Sequence, residues 1–240
     1  MKALILAAGK STRIASSVPS KPKPLIEVDG KPVLIHNLEL LKKHGIVDVW
    51  INLHYEPDQI RAAVGDGSRW GVSVRYSEEK DILGTAGAVK KLDHELDGAP
   101  FWVLYGDNYT DCDLGQMAAF HAKAQSDATI AAFDFDRNPN SRIAGGKMEC
   151  GADGRVRQFL EGEKADSSAS RLVNAGIYLL EPSLLDQFPS GFSDFGKDLF
   201  PALLKKQKKI YAYTMSGFCF AIDTPEAMQK TREFLPQRKL

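Results

Sequence analysis

The first 105 residues alternate between short apolar runs and segments with helical periodicity, and this alternation is the feature that most constrains the fold. The apolar runs predict strands at 3–7, 47–53, 72–76 and 101–105, and the periodic segments predict helices at 32–44, 57–64 and 86–92. Strands that alternate with helices form a largely parallel sheet with helices on both faces. We therefore predict an α/β fold, a Rossmann-like three-layer α/β/α sandwich whose ligands bind at the carboxyl ends of the strands.

The second half of the chain is less regular. Strands are predicted at 128–133, 147–150, 156–160 and 173–180, with turn signals such as Asp153-Gly154 between them. These strands indicate a small antiparallel excursion from a mostly parallel mixed sheet. Helices are predicted at 195–206 and 225–234, and a mobile loop at 162–170. Because no linker interrupts the pattern, residues 1–240 are predicted to form a single domain.

Composition limits the classes of partner. Lys and Arg total 31 and Asp and Glu total 31, so no net charge favours nucleic acid or an acidic membrane. No apolar stretch approaches the roughly 18 residues of a membrane helix. The odd number of widely spaced cysteines (Cys112, Cys150 and Cys219) favours reduced thiols in a cytoplasmic protein.

The loop after the first strand has the chemistry of a phosphate cradle. It contains Leu6, Ala7, Ala8, Gly9, Lys10, Ser11, Thr12 and Arg13, and a Lys21-Pro22-Lys23-Pro24 run follows. Small residues let the backbone approach a phosphate closely, N–H groups donate to it, and fixed cations neutralise it. A Walker A loop is excluded, because its first glycine would fall at Leu4 inside the strand.

Together with later motifs, this loop resembles the sugar-phosphate nucleotidyltransferase family over nearly the whole chain. The later motifs are Leu83-Gly84-Thr85-Ala86-Gly87, Tyr105-Gly106-Asp107-Asn108, Val173-Asn174-Ala175-Gly176-Ile177-Tyr178, Asp194-Phe195-Gly196-Lys197-Asp198 and Asp223-Thr224-Pro225-Glu226. The resemblance implies an enzyme that makes a nucleotide-diphosphate sugar and pyrophosphate from a nucleoside triphosphate and a sugar 1-phosphate, for surface polysaccharide precursors such as those of capsule or lipopolysaccharide. It is strongest for the mannose- and heptose-1-phosphate guanylyltransferases, and it leaves a homodimer open.

The resemblance also implies roles for individual residues. Arg13, Lys23 and Asp107 would be catalytic, and Asp107 with Asp223 would bind Mg²⁺, a hard cation that takes carboxylate and phosphate oxygens. The nucleotide would contact residues 6–12 with Glu79, Gly84 and Thr85, and the sugar would contact Asn108, Glu161, Asn174, Ala175 and Gly176.

Two positions depart from the family pattern. Ala221 occupies the usual place of the second metal-binding aspartate, and Asp223 is expected to substitute for it because residues i and i+2 share one face of a strand. Asp223 could instead cap the last helix. Gly162 occupies the place of a lysine that holds the sugar phosphate in relatives, so Lys164 is the expected replacement.

Glu79 decides the predicted base. Guanine presents two adjacent donors that a carboxylate accepts together, whereas uracil and thymine present one N–H that suits an amide better. Glu79 lies five residues before Gly84, where uridylyl- and thymidylyl-transferring relatives tend to carry Gln. GTP is therefore favoured, with mannose 1-phosphate or D-glycero-D-manno-heptose 1-phosphate as acceptor. A glucose-1-phosphate cytidylyltransferase-like enzyme using CTP remains an alternative, as does a non-catalytic nucleotide-sugar-binding regulatory module.

Overall fold

The computed structural model describes residues 1–10, 21–141 and 145–238. The strands are β1 (Lys2–Leu6), β2 (Glu27–Val28), β3 (Lys31–Pro32), β4 (Asp48–Leu53), β5 (Ser73–Glu78), β6 (Phe101–Tyr105), β7 (Asn108–Thr110), β8 (Ala128–Asp134), β9 (Lys147–Cys150), β10 (Val156–Leu160), β11 (Leu172–Leu180), β12 (Ile210–Thr214) and β13 (Cys219–Ala221). The helices are α1 (Val33–Lys43), α2 (Pro57–Val64), α3 (Gly84–Lys91), α4 (Asp93–Leu96), α5 (Leu114–Ala124), α6 (Glu163–Ser167), α7 (Phe200–Lys205) and α8 (Pro225–Arg238). A π-helical turn at Phe195–Leu199 leads into α7.

The main sheet has nine strands in the described part of the chain. Its order is β10-β9-β11-β6-β1-β4-β5, with β8 beside β11 and β12 beside β8. Strands β6, β1, β4 and β5 are parallel neighbours. Only β10 and β11 run against the other strands, because each pairs with its neighbours in antiparallel fashion. The prediction of a mostly parallel mixed sheet with an antiparallel excursion is confirmed.

Strand β1 shows why the protein has three layers. Successive side chains of a strand point to opposite faces of its sheet. Ala3 and Ile5 pack into one core with Leu38 of α1, and Leu4 packs into the other core with Val89 of α3. Helices therefore cover both faces, as the Rossmann-like prediction requires.

Several local predictions were incomplete or wrong. Residues 163–167, predicted as part of a mobile loop, form α6. The helix α5 was not predicted, although Asp113 gives it an N-cap by accepting a hydrogen bond from the N–H of Gln116 at 2.9 Å. The short strands β7 and β13 were also missed, and they pair with each other outside the main sheet.

The remaining composition-based expectations concern cysteines and membranes. All three cysteines are free thiols. Among the described residues, no helix is both long enough and apolar enough to cross a bilayer.

Leu38 offers a test of the helix layer. Its side chain is fully buried in α1. We expect Leu38→Ala to lower the free energy of unfolding by about 2–5 kcal/mol, because truncation loses apolar burial and leaves a cavity. Lys43→Ala, at the exposed end of the same helix, is the matched control and should change it by less than about 0.5 kcal/mol. Urea unfolding measures both, and equal losses would contradict the packing described.

Candidate active site

A chain of hydrogen bonds joins the loop after β1 to Glu79. The N–H of Ala7 donates to Oδ1 of Asn52 at 2.7 Å, and Nδ2 of Asn52 donates to Oε1 of Glu79 at 2.8 Å. The N–H of Leu83 donates to the other carboxylate oxygen of Glu79 at 3.0 Å. Glu79 is only 4% exposed. Three segments that are distant in sequence are thereby held at one edge of the sheet.

These segments enclose a cavity of about 220 Å³. It is lined by most of the predicted nucleotide-binding residues, namely Leu6, Ala7, Ala8, Gly9, Glu79, Gly84 and Thr85, and also by Lys23 and Asp107. Lys10 is exposed and does not line it. Ser11, Thr12 and Arg13 lie outside the described residues. The structure thus brings together the described part of the predicted triphosphate site except Lys10.

The glycines of the Leu83–Gly87 motif have a packing role that the sequence did not reveal. Gly84 has φ +73°, and a Cβ there would lie 2.5 Å from the carbonyl oxygen of Ser193. A Cβ at Gly87 would overlap the carbonyl oxygen of Gly191. The N–H groups of Ala86 and Gly87 both donate to Ser193 O, at 2.9 and 3.2 Å. The glycines therefore admit a second segment, at residues 191–194, against the start of α3.

Asp107 lies at the carboxyl end of β6, where the sequence placed it. Its carboxylate is 3.9 Å from Nζ of Lys23, and both side chains are mostly buried. The carbonyl of Asp107 accepts a hydrogen bond from the N–H of Ile222 at 2.9 Å. This bond brings the segment that carries Asp223 beside Asp107.

Asp223 reaches the site for a reason other than the one predicted. Strand β13 ends at Ala221, so Asp223 lies beyond the strand and does not share a strand face with that residue. It nevertheless lines the same cavity as Asp107 and is 6% exposed. The capping role falls to Thr224, whose Oγ1 accepts a hydrogen bond from the N–H of Ala227 at 3.2 Å. Asp223 is therefore not required as the helix cap.

A second cavity, of about 390 Å³, adjoins the first and shares Thr85, Tyr105 and Asp107 with it. We refer to the second as the larger cavity and to the first as the smaller cavity. Burial raises the pKa of Tyr105 to about 12, so its hydroxyl stays protonated and can donate. Of the predicted sugar-binding residues, this cavity is lined by Asn108, Glu161, Asn174 and Gly176. Ala221 and Asp223 also line this cavity.

A bulge in β11, between Asn174 and Tyr178, forms part of the wall of this cavity and is fixed by hydrogen bonds. The side chain of Asn174 accepts from the N–H of Gly176 at 2.9 Å and donates to the Tyr178 hydroxyl at 2.8 Å. Asn108 donates to the carbonyl of Ala175 at 2.8 Å. Ala175 itself is fully buried in the core and does not line the cavity, so its contact with the sugar stays a prediction.

Glu161 is wedged between two glycines. A Cβ at Gly146 would lie 2.6 Å from Oε1 of Glu161, and a Cβ at Gly196 would overlap the same oxygen. Burial raises the pKa of the Glu161 carboxyl, Lys197 opposes this shift, and Asp194 adds to it. The carboxylate is accordingly held in a fixed position from which it can accept a hydrogen bond from a sugar hydroxyl.

Two site residues were missed by the sequence, although both belong to a recognised motif. Asp194 and Lys197 line the larger cavity. Oγ1 of Thr85 donates to Oδ1 of Asp194 at 3.2 Å and accepts from the N–H of Phe195 at 2.9 Å. Lys164, which was expected to replace the phosphate-binding lysine of relatives, does not line this cavity. It lines a separate groove, which we call the outer groove. Thr85 thus connects the wall of the smaller cavity to the π-helical turn beside the larger one.

Comparisons with known proteins agree with this geometry. The family model described as "Nucleotidyl transferase" matches residues 2–231. The chain is 35% identical over 227 residues to a UTP–glucose-1-phosphate uridylyltransferase of Synechocystis, covering 90% of this chain and 58% of that protein. It is also 35% identical over 232 residues to probable mannose-1-phosphate guanylyltransferase 2 of Arabidopsis thaliana, covering 94% and 62%. The chain therefore spans about three-fifths of the length of these relatives.

A solved structure extends the comparison to the whole fold. The crystal structure of HddC from Yersinia pseudotuberculosis matches with a TM-score of 0.81 and 25% identity, covering 98% of this chain and 99% of that one. The same protein has also been solved in complex with GMP-PN, and that structure matches with a TM-score of 0.80.

The raised pKa of Glu161 predicts a pH-dependent difference in stability. A carboxyl whose folded pKa exceeds its ordinary value of 4.5 destabilises the folded state as pH rises above 4.5, because the folded protein then holds its proton more tightly than the unfolded chain. We expect Glu161→Gln to be more stable than the parent protein at pH 7, and the difference to shrink towards pH 4. Urea unfolding at the two pH values measures it.

Glu163→Gln is the control, since that residue is exposed on the neighbouring helix. A Glu161→Gln difference that is identical at pH 4 and pH 7 would contradict the assigned environment of the carboxyl.

Proposed function

This chain belongs to the nucleotidyl transferase family, and we propose that it transfers the nucleotide of GTP to a hexose or heptose 1-phosphate with release of pyrophosphate. The favoured acceptors are mannose 1-phosphate and D-glycero-D-manno-heptose 1-phosphate. The observation that carries the proposal is the pair of adjoining cavities with Asp107 in their shared wall. The smaller cavity is lined by the described part of the predicted phosphate loop. The larger cavity is lined by hydrogen-bond acceptors suited to sugar hydroxyls.

The proposed chemistry is a direct in-line displacement. A phosphate oxygen of the acceptor forms a bond to the α-phosphorus, and the bond from that phosphorus to the bridging oxygen breaks as pyrophosphate leaves with the electron pair. Lys23 supplies positive charge where the two polyanions meet, and Arg13 is proposed to do the same. No covalent enzyme intermediate is required, because holding the two substrates in line supplies much of the rate.

Asp107 and Asp223 fit a magnesium ion. Their carboxylates line one cavity, and a backbone hydrogen bond joins their segments. The proposed site supplies two carboxylates, so phosphate oxygens and water would provide the other ligands. Mg²⁺ is commonly bound in this way, and when bound it would neutralise and orient the phosphates.

Glu79 supports guanine as the base. Each of its carboxylate oxygens accepts one hydrogen bond from the protein, from Asn52 and from Leu83. An ionised carboxylate has about four acceptor positions, so each oxygen keeps capacity for one guanine donor. Asn52 is 2% exposed and does not line the smaller cavity, so its amide is not placed to read uracil. The Arabidopsis relative and the GMP-PN complex of HddC also favour a guanine nucleotide.

The match to the uridylyltransferase of Synechocystis favours a competing substrate pair, UTP with glucose 1-phosphate, more strongly than any other. CTP is the second competitor, from the order of Asp223 and Thr224. The test of function therefore presents GTP, UTP, dTTP and CTP separately, with Mg²⁺ and each sugar 1-phosphate, and measures pyrophosphate release.

Removal of the charged side chain of Lys23 or Asp107 should strongly slow this reaction. We expect Lys23→Ala and Asp107→Ala each to lower kcat/KM by about 10²–10³-fold, because each removes a charged group at the reacting phosphates. Lys31→Ala is the control, since Lys31 pairs with Glu39 on the surface. Wild-type turnover in either folded variant would refute the proposed mechanism. Tight nucleotide binding by the parent protein without pyrophosphate release would instead favour a non-catalytic module.

The base assignment has its own test. We expect Glu79→Gln to lower kcat/KM for GTP by about 10–100-fold relative to UTP, because one guanine donor loses its acceptor and faces an amide. Glu78→Gln is a closely matched control, since Glu78 is exposed and pairs with Arg61 at 2.8 Å. Steady-state kinetics with both triphosphates measures the ratio, and an unchanged ratio in Glu79→Gln would contradict the assignment.

A further inference from the structure

Among the described residues, the wall of the larger cavity carries more carboxylates than cations, which is unfavourable for a substrate that carries a phosphate. The charged residues described along its wall are Asp107, Glu161, Asp194, Asp223 and Lys197. A phosphate monoester that approaches four carboxylates needs a cation on the protein or a bound metal to offset repulsion. Lys23 contributes on the side of the smaller cavity. Of the described residues that line the larger cavity, Lys197 is the only cation.

The backbone at Gly162 explains why the cation does not come from the end of β10. Gly162 has φ +58° and ψ −139°, a conformation that side-chain-bearing residues rarely adopt. A lysine at that position would be strained even though open space surrounds it. The chain then enters α6 at Glu163, and Lys164 lines the outer groove with Arg157. The local turn therefore directs the nearest lysine away from the larger cavity.

The π-helical turn presents Lys197 instead. The N–H of Leu199 donates to the carbonyl of Asp194 at 3.0 Å, five residues back, and the N–H of Asp194 donates to Oδ2 of Asp198 at 2.8 Å. π-Helical turns are rare and are frequently found at functional sites. Gly196 in this turn lies directly against the carboxylate of Glu161. Lys197 follows it and borders both the larger cavity and the outer groove.

The environment of Glu161 is consistent with this position. Lys197 is the group that lowers the pKa of the Glu161 carboxyl, against the larger effect of burial. Glu161 and Lys197 also line the same cavity, and Gly196, the residue before Lys197, contacts the Glu161 carboxylate. A sugar 1-phosphate carries its hydroxyls and its phosphate on one small ring, so both groups can be bound by neighbouring side chains.

We infer that Lys197 binds the phosphate of the acceptor sugar 1-phosphate, in place of the strand-end lysine that Gly162 replaces. The inference rests on the proposed function, and it assigns to the π-helical turn the role expected from the sequence for Lys164. Since a lysine is a mobile point charge, it can stay with the phosphate while the new bond to the α-phosphorus forms.

The experiment compares Lys197→Ala, Lys197→Arg and Lys164→Ala, all as folded full-length chains checked by circular dichroism. We expect Lys197→Ala to raise KM for the sugar 1-phosphate by about 10–100-fold, because a hydrogen bond between two charged groups is lost. KM for the triphosphate should stay unchanged. Lys197→Arg keeps the charge and should restore most of the affinity, and Lys164→Ala should resemble the parent protein.

Calorimetric titration with mannose 1-phosphate, and with mannose as the uncharged probe, separates phosphate binding from catalysis. Lys197→Ala should weaken binding of the phosphorylated sugar only. If the parent protein releases pyrophosphate and Lys197→Ala shows unchanged KM and binding, or if Lys164→Ala produces the loss, the inference is overturned and the proposed function stands. If the parent protein neither turns over nor binds any sugar 1-phosphate, the proposed function and this inference fail together.

Discussion

The arrangement of the smaller cavity depends on two hydrogen bonds made by the side-chain amide of Asn52. Its oxygen accepts from Ala7 and its nitrogen donates to Glu79, so a single buried side chain of β4 fixes both neighbouring strand ends. Asn52 is 2% exposed, and water cannot substitute readily for either partner. Because β4 lies between β1 and β5, the register of these parallel strands sets the distance between the loop after β1 and the Glu79 carboxylate that we propose to read the base.

The parallel half of the fold could be predicted because each of its elements satisfies a local rule. Strand β1 is an apolar run, α1 repeats its leucines at helical spacing, and both were placed to within a residue or two. Three of the missed elements lack such signals. Strands β7 and β13 have three residues each and are defined only by their mutual pairing. Helix α6 follows a glycine and contains polar residues, which resemble a loop when no packing is considered.

Part of the candidate site could be predicted because its residues follow strand ends. Glu79 and Asp107 obey that rule, and the structure places them in the same cavity. The contact between Thr85 and Asp194 joins residues 109 positions apart, and no spacing rule anticipates it. The burial of Ala175 was missed because the bulge in β11 presents only its neighbours Asn174 and Gly176 to the cavity. Asp223 lines the same cavity as Asp107, but the premise that it shares a strand face with Ala221 was wrong, since β13 ends before it.

Thr85 belongs to the walls of both cavities, and its hydroxyl is engaged by the π-helical turn. Any ligand that shifts this threonine while filling one cavity must therefore alter the free energy of filling the other. Thermodynamic linkage makes such an effect equal in both directions. The affinity that the second ligand gains or loses through Thr85 in the presence of the first is then the same whichever ligand arrives first.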